Sequence, residues 1–338
     1  MMRPFSLFIL FGALFFSCVK DEPQPLVAPI VNMATNRVVM TAEGNYGSGN
    51  ASVYVWDQVS DRASGDVYQA VNGKSCGDVL QSLLHVNKNY FLVMNNSGKI
   101  IVTDQEFKKT AEINGLASPR YILQVTDAKA YVSDLQANKI SIVNLKESAL
   151  KGSIPCRGWT EQMCLIYNKV FVTNLSSRYL TIINSITDQV IDSIEVGAGA
   201  GSLITDAGDK LWVLCRGDIA LKEKARLVQI DPVTLVILQK IELEGSPFNL
   251  CVDGSGSYLY FLNAGLYRFK ITGKLAEKIY GEASSNFYGL AVDPATGNLF
   301  VSDAMDYSQA STISILSKDG TLKKSIKAGI NTGGFYFD

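Results

Sequence analysis

The sequence predicts an all-β fold in which seven similar units close into a ring. Three observations lead to this prediction: a sequence repeat, several short strands within each repeat, and a final segment that is itself an aromatic strand. Helices are expected to be minor, because no long segment of the 338 residues keeps an apolar period of 3.6.

The repeat is clearest in a short apolar strand that ends on a small or polar residue, as in KAYVSD and KVFVTN. Six copies end 39, 40, 41, 48 and 40 residues apart, at Asn95, Asp134, Asn174, Cys215, Asn263 and Asp303. A weaker seventh copy, RVVMTAE, ends at Glu43. Three further strands complete each period, separated by Gly, Asn, Asp and Ser turns. This pattern predicts a seven-bladed β-propeller of four-stranded blades over residues 31–338.

The last segment, GGFYFD at Gly333–Asp338, indicates how the ring closes. An unpaired aromatic strand would leave an exposed edge. This one aligns with NLCVD at Asn249–Asp253 and GLAVD at Gly289–Asp293, each expected to be the inner strand of a blade. The first unit lacks such a strand, so the C-terminal strand is predicted to supply it. A six-bladed ring with an additional N-terminal sheet is the alternative.

The first residues differ from the repeats. Residues 1–17 have a basic head and the apolar stretch FSLFILFGALFF, which is too short to span a bilayer and is arranged like a secretory signal peptide. Cys18 resembles the lipidated cysteine of bacterial lipoproteins, although Phe15 stands where leucine is usual. Residues 18–30 would then be a lipidated linker, whose start, VKDEPQP, resembles the surface-export tag of Bacteroidetes lipoproteins. An ordinary cleaved signal is the alternative.

The composition argues against several classes of function. Balanced charge, 31 basic and 32 acidic residues, does not favour a nucleic-acid-binding surface. A single histidine, His85, excludes a multi-histidine metal centre and counts against a propeller enzyme. The five cysteines other than Cys18 suggest neither a disulfide framework nor a zinc site. No cofactor and no metal are therefore expected, although calcium held by carboxylates remains open.

A ligand site is expected on the face of the ring that carries three long loops, Glu43–Ser52, Cys215–Arg226 and Asp303–Thr312. Residues at matching positions before the inner strands should reach the same face. Phe248 and Tyr288 could alternatively just plug the channel. Aromatic, arginine and aspartate side chains at a concave site suit a large, partly planar polar ligand. The predicted ligand-binding residues are Trp159, Arg120, Phe248, Tyr288, Tyr46, Arg216, Tyr307, Asp78 and Arg157.

The units KAYVSDLQANKISIVN and KVFVTNLSSRYLTIINSITDQVIDSIEVG resemble the YncE-like, surface-layer-type seven-bladed propellers. With its lipoprotein-like start, the chain resembles propeller lipoproteins of gut Bacteroidetes, one branch of which is similar to surface proteins that pass cobalamin to a TonB-dependent outer-membrane transporter. The resemblance implies a non-enzymatic nutrient-binding protein, lipid-anchored in the outer membrane and facing outward, with cobalamin or another corrinoid as ligand. The alternatives are a hydrolase or lyase that uses carboxylates in the funnel, and a protein- or glycan-binding scaffold.

Overall fold

Seven four-stranded antiparallel sheets form the part of the chain that the computed structural model describes, residues 36–282 and 284–338. The predicted signal peptide, Cys18, the linker and the first residues of the predicted propeller domain lie outside this range. Each sheet is one blade, and its strands follow each other along the chain except in the first blade.

The first blade takes three strands from the start of the described chain, and a helix follows them. The next three blades each contain four consecutive strands. In chain order the elements are β1 (Arg37–Ala42), β2 (Ser52–Asp57), β3 (Arg62–Ala63) and α1 (Val67–Asn72); β4 (Leu80–Val86), β5 (Asn89–Met94), β6 (Lys99–Thr103) and β7 (Lys109–Ile113); β8 (Pro119–Gln124), β9 (Lys129–Asp134), β10 (Lys139–Asn144) and β11 (Ala149–Pro155); β12 (Thr160–Ile166), β13 (Lys169–Asn174), β14 (Tyr179–Asn184) and β15 (Gln189–Glu195).

Three further blades and the closing strand make up the rest. They are β16 (Ala200–Thr205), β17 (Leu211–Cys215), β18 (Ala225–Ile230) and β19 (Ile237–Leu243); β20 (Phe248–Val252), β21 (Tyr258–Leu262), β22 (Leu266–Lys270) and β23 (Ala276–Tyr280); β24 (Phe287–Val292), β25 (Leu299–Asp303), β26 (Ala310–Leu316) and β27 (Leu322–Ile330); and finally β28 (Thr332–Phe337).

Position within the blade explains the residue pattern of each strand. The second strand of a blade is covered on both faces, so β5 is buried along almost its whole length and reads NYFLVM. The outermost strand is half exposed, so β19 alternates between partly buried and exposed side chains in ILQKIEL. Two-residue turns with positive φ at both positions join some inner strands to the second strand, as at Tyr167 and Asn168.

The ring closes through β28, as the sequence predicts. This strand pairs antiparallel with β1, with Met40 opposite Phe335 and Val38 opposite Phe337. It thereby becomes the inner strand of the first blade, in the sheet order β28-β1-β2-β3. Its neighbours around the channel are the inner strands β24 and β4. All seven inner strands are therefore covered on both sides, which removes the exposed edge.

The hydrophobic core lies between adjacent blades. Trp212 of β17, for example, is fully buried and packs against Phe269 of β22 in the next blade, with ring centroids 5.8 Å apart. Its indole Nε1 donates a hydrogen bond of 2.8 Å to Asp206 Oδ2, so the one polar atom of the side chain is satisfied. Because each blade packs on the next in this way, the blades fix the direction of the inner strands and hence the geometry of the channel.

Candidate functional site

Every inner strand carries one extra residue near its first residue. In β8, Pro119 pairs with Asp134 of β9, but the next pair joins Ile122 and Val132, so two residues of β8 oppose one of β9. All seven inner strands show this shift of register. A β-bulge of this kind redirects a side chain out of the regular ladder. The residues directly after the first paired residue are Gln81, Arg120, Glu161, Gly201, Asn249, Tyr288 and Gly333.

A cavity of about 460 Å³ opens at the end of the channel where these bulges lie. Polar side chains from the bulges line it, namely Gln81, Arg120, Asn249 and Tyr288. Deeper contacts come from aromatic side chains of the inner strands, including Tyr121 and Tyr336. The bulges therefore bring together, in a single ring, side chains that lie far apart in sequence.

Two of the bulged residues are glycines, and a neighbouring loop fills each gap. Arg216, directly after β17, lies over Gly201, where an added Cβ would be 3.7 Å from Arg216 Nε. Glu43, directly after β1, lies beside Gly333, where an added Cβ would be 3.3 Å from Glu43 Oε1. Each blade thus contributes one polar side chain. We call these seven side chains the polar belt: Glu43, Gln81, Arg120, Glu161, Arg216, Asn249 and Tyr288.

Arg120 is held firmly within the belt. Its Nε donates a 2.8 Å hydrogen bond to Glu161 Oε1, and its Nη2 donates one of 3.2 Å to Glu161 Oε2. Arg120 Nη1 also donates to Gln81 Oε1, and the indole Nε1 of Trp159 donates to Glu161 Oε1. Burial lowers the pKa of Arg120, but the charge and hydrogen bonds of Glu161, together with the nearby Tyr121 and Glu43, raise it by more in sum, so its pKa lies above the usual value. Arg120 therefore stays charged and fixed in position.

Glu43 lies on the opposite side of Gln81, and its half-buried side chain lines the cavity. It accepts a 2.7 Å hydrogen bond from the hydroxyl of Tyr288 and one of 3.3 Å from Gln81 Nε2. Burial raises the pKa of Glu43 above its usual value, although the hydrogen bond from Tyr288 and the charge of Arg120 oppose this shift. A continuous hydrogen-bond chain therefore runs through five blades from Trp159 to Tyr288.

Arg216 has a different environment. Its guanidinium lies over the ring of Phe248, with 5.7 Å between Cζ and the ring centroid. Both side chains line the cavity, and Arg216 is exposed. Asn249, next to Phe248, donates a 2.7 Å hydrogen bond from Nδ2 to the carbonyl of Tyr288. The belt is therefore tied together on this side as well, apart from Arg216.

Aromatic residues surround the opening of the cavity. Trp159 is 36% exposed and contacts Arg120, with 5.8 Å between Arg120 Cζ and its ring centroid. Tyr307 is 46% exposed, and its ring meets that of Tyr288 edge-on at 6.3 Å. Asn45 Nδ2 donates a 2.6 Å hydrogen bond to the carbonyl of Tyr307, which links two of the three long loops. Partly exposed rings next to fixed polar groups are suited to contact a ligand.

A protein-family model described as a domain of unknown function, DUF5074, matches residues 37–337. The chain belongs to this family. The match covers the whole ring, from the start of β1 to the end of β28. No curated protein sequence matches the chain.

Many solved structures resemble this DUF5074 protein in fold. The periplasmic gluconolactonase of Pseudomonas aeruginosa is 13% identical, with a TM-score of 0.68 over 89% of this chain and 98% of that one. A quinonprotein alcohol dehydrogenase-like protein of Bacteroides thetaiotaomicron is 13% identical, with a TM-score of 0.66 over 90% and 78%. A dihydro-heme d1 dehydrogenase in complex with DHE is 10% identical, with a TM-score of 0.65 over 91% and 77%. At such identities the likeness is one of fold.

The structure brings five of the nine sequence-predicted site residues to the cavity wall: Arg120, Phe248, Tyr288, Arg216 and Tyr307. Trp159 lies at the opening through its contacts with Arg120 and Glu161. The expected match in position holds for Arg120 and Tyr288, which are both bulged residues. Phe248 lies one residue earlier in its strand, where the bulged residue is Asn249.

Three predicted residues lie elsewhere. Asp78 is three residues before the bulge at Gln81 and does not line the cavity; its Oδ2 accepts hydrogen bonds from Gly47 N at 2.9 Å and Asn96 Nδ2 at 2.5 Å. Arg157 is exposed beside the cavity opening without lining the cavity. Tyr46 is 79% exposed at the tip of its loop.

Sequence reasoning missed four belt residues: Glu43, Gln81, Glu161 and Asn249. An alignment of the inner strands on their bulges would have found the last three: Asn249 lies one residue after Phe248, Glu161 two after Trp159 and Gln81 three after Asp78. That alignment needs the position of the bulge, which shifts SPR at 118–120 relative to SPF at 246–248 by one residue. No such alignment would find Glu43, because it is not in an inner strand. Its side chain fills the space beside Gly333, which has no side chain of its own.

Other chemistries have little support within residues 36–282 and 284–338. This range contains no cluster of three or more His, Cys, Asp or Glu side chains that could hold a metal ion. Burial raises the pKa of the Cys76 and Cys215 thiols to about 12, so neither is a thiolate nucleophile near neutral pH. Nor does this part of the chain include a helix with the length and apolarity to cross a membrane.

Proposed function

We propose that this protein is a binding protein whose cavity takes up a large, partly planar polar ligand, with cobalamin or a related corrinoid as the leading candidate. The polar belt supports the proposal: seven blades each place one side chain in a ring beneath exposed aromatic residues, and hydrogen bonds join six of the seven residues. Such a ring offers donors and acceptors in alternation, held in place before a ligand arrives. Preorganised groups favour binding, since less ordering is needed when the complex forms.

The volume of the cavity would enclose only part of a corrinoid. A cavity of about 460 Å³ accepts part of a corrinoid, whose flat ring would then lie across the opening against Trp159 and Tyr307. The amide groups around a corrin ring match the hydrogen-bonding side chains of the belt. The complex of a dihydro-heme d1 dehydrogenase with DHE provides a further reason to test a flat macrocycle on this fold.

The location of the protein is part of the same proposal. We infer lipidation at Cys18 and display on the outer face of the outer membrane, from the apolar stretch before the cysteine and the acidic residues after it. A binding protein in this place would pass its ligand to a TonB-dependent transporter. Labelling with a radioactive fatty acid, compared between the natural chain and Cys18→Ser, tests the anchor.

Titration calorimetry with cobalamin tests the binding function. Trp159→Ala removes the indole from the opening and should weaken binding about tenfold, as expected for one aromatic contact at the edge of a site. Tyr167→Ala is the matched control, because Tyr167 is 55% exposed in a turn at the other end of the inner strands. No heat of binding at millimolar cobalamin would remove the corrinoid assignment. Equal weakening of cobalamin binding by both variants would show that the ligand does not bind at the belt.

A lactone hydrolase is the second candidate, and Glu43 is the observation that favours it. A buried carboxyl group with a raised pKa, bonded to a tyrosine hydroxyl in a cavity, is a plausible general base. The gluconolactonase fold likeness points to the same chemistry. We rank this second because both carboxylates of the belt are already occupied by hydrogen bonds. Turnover of a sugar lactone that Glu43→Gln abolishes would reverse the ranking.

A further inference from the structure

Arg216 is the one basic residue of the belt without a charged partner. We propose that Arg216, packed on Phe248, binds an anionic group of the ligand, either a phosphate or a carboxylate. The proposal rests on the proposed function, since it assigns a subsite within the same cavity. It requires the ligand to carry an anionic group, which the belt as a whole does not require.

The pairing of arginines across the protein distinguishes Arg216. Residues 36–282 and 284–338 contain eight arginines, and five of them form ion pairs with carboxylates: Arg37, Arg120, Arg178, Arg226 and Arg268. Within that range Arg62, Arg157 and Arg216 form none, and of these three only Arg216 lines the cavity. The other arginine of the belt, Arg120, already uses its guanidinium. Its Nε and Nη2 donate to Glu161, and its Nη1 donates to Gln81.

The contact with Phe248 prepares Arg216 for an anion. The guanidinium lies over the ring of Phe248, a contact that leaves its N–H groups without a carboxylate partner. Those N–H groups match the spacing of two oxygens of a carboxylate or phosphate, which they can bind in parallel. The contact with the ring also limits the freedom of the side chain, so less ordering is needed on binding.

Two glycines allow Arg216 to approach the inner strand. A Cβ on Gly199 would lie 3.2 Å from Arg216 Cβ, and a Cβ on Gly201 would lie 3.1 Å from Leu175 Cδ2 and 3.7 Å from Arg216 Nε. A side chain on Gly199 would therefore crowd the arginine, and one on Gly201 would crowd Leu175. The segment VGAGAGS, residues 196–202, forms the loop after β15 and the first residues of β16, and its glycines leave room for the guanidinium against the wall of the cavity.

The carboxylates of the belt do not compete for Arg216. Glu161 is bonded to Arg120 and Trp159, and Glu43 to Gln81 and Tyr288. Burial also disfavours the charged form of Glu43, which reduces the negative charge that an incoming anion meets. The cavity is therefore most favourable to an anion at the position of Arg216.

The first experiment needs no assumption about the ligand. The Nε–Hε signal of Arg216, assigned by its loss in Arg216→Gln, is followed by NMR as inorganic phosphate and then acetate is added at constant ionic strength. We expect a saturable shift at Arg216 and none at Arg62, an exposed arginine on the outermost strand of the first blade. Equal, unsaturable shifts at both arginines would show general screening and overturn the proposal.

The second experiment links the subsite to the proposed ligand. Cobalamin carries a phosphodiester, which cobinamide lacks. Arg216→Gln should weaken cobalamin binding about tenfold or more, the loss of a charge-assisted pair, and leave cobinamide binding unchanged. Arg62→Gln, with the same change of charge, should affect neither. If Arg216→Gln weakens both corrinoids equally or neither, the subsite is wrong although the corrinoid function stands; if neither corrinoid binds but the phosphate shift persists, the reverse holds.

Discussion

Glu43 shows how a single residue can belong to a site without belonging to its repeat. Five of the belt residues lie within inner strands, and Arg216 comes directly after a second strand. Glu43 also comes directly after a second strand, but that strand belongs to the weakest copy of the repeat, RVVMTAE. The carboxyl group is buried yet has hydrogen-bond donors from two other blades, Gln81 and Tyr288. The protonation state of Glu43 therefore depends on the hydrogen bonds that it receives from these neighbouring belt residues.

The raised pKa of Glu43 predicts a pH dependence of stability. Its folded-state pKa lies above the ordinary value of 4.5, so its contribution is fully present below pH 4.5 and is lost as the pH rises through the folded-state pKa. Glu43→Gln removes this loss. The melting temperature of the variant should rise relative to the natural protein between pH 4.5 and pH 8.

The control for this experiment is Glu147→Gln, which removes an exposed carboxylate paired with Lys151. Exposed pairs contribute little, so its melting temperature should follow the natural protein at every pH. A constant offset between Glu43→Gln and the natural protein would contradict the assignment of the proton to Glu43.

Individual site residues were predictable only where the sequence repeats itself. Arg120 and Tyr288 precede similar apolar strands, so their common position can be read from the sequence. Gln81 and Glu161 occupy the same position, but nothing local in VLQSLL or WTEQMC marks the bulge. Cross-strand register decides the direction of a side chain in a sheet, and one extra residue changes it.

The inner strands are the elements that set the width of the channel. At the first and seventh blades they approach so closely that a side chain is excluded: a Cβ on Gly289 of β24 would lie 2.7 Å from the carbonyl oxygen of Gly333 and 2.9 Å from that of Thr332. Both atoms are backbone atoms of β28, which cannot turn aside as a side chain could. Gly289 therefore sets the distance between the closing strand and its neighbour.

Gly289→Ala should destabilise the protein by about 2 kcal/mol, the usual cost of overpacking against rigid neighbours. Chemical denaturation measures this as a lower midpoint. Gly65→Ala is the matched control, because no atom lies within 4 Å of its added Cβ and its φ is not positive. It should leave the midpoint unchanged or raise it slightly. Equal midpoints for the two variants would show that β24 and β28 can separate at little cost.

Strands could be predicted more completely than the loops and bulges between them. The second strand of each blade is covered on both faces, which gives near-continuous apolar runs such as KAYVSD and KVFVTN. Helix α1 was not foreseen; it is six residues long, with Asp66 as N-cap and Gly73 in a left-handed conformation after it. Such short capped elements have too few residues to show a period.

At the scale of the whole molecule, a cluster at the end of β28 secures the ring. Asp338 Oδ2 accepts a 2.5 Å hydrogen bond from the Tyr90 hydroxyl and lies 3.1 Å from Arg37 Nη2, while Oδ1 lies 3.0 Å from His85 Nδ1. The single histidine thus has a structural place, since its ring also stacks on Tyr90 at 4.3 Å. The cluster joins the closing strand to the second blade as well as to its own.

Asp338→Asn should destabilise the protein by about 3 kcal/mol at neutral pH, because it leaves the largely buried Arg37 without a counter-charge. We expect a melting temperature that is lower by roughly 5 °C or more. Burial raises the pKa of Asp338, but hydrogen bonds from His85 and Tyr90 and the charges of His85 and Arg37 together lower it by more. The stabilisation is therefore present above pH 3.8 and is lost as the pH falls through the lower folded-state pKa.

The two melting curves should accordingly converge in acid. Asp319→Asn is the control, since it removes an exposed carboxylate from Arg268 and should change the melting temperature by little. A difference between Asp338→Asn and the natural protein that stays constant down to the lowest pH would place the lost stability outside the ionised carboxylate.

The pairing of β28 with β1 also determines how the protein can be presented on a surface. Arg37 and Asp338 lie side by side, and both are at the far end of the inner strand from the polar belt, about 17 Å away along six residues. A tag fused after Asp338 would therefore begin at the end of the channel opposite the cavity, and the cavity opening would face away from the attached group.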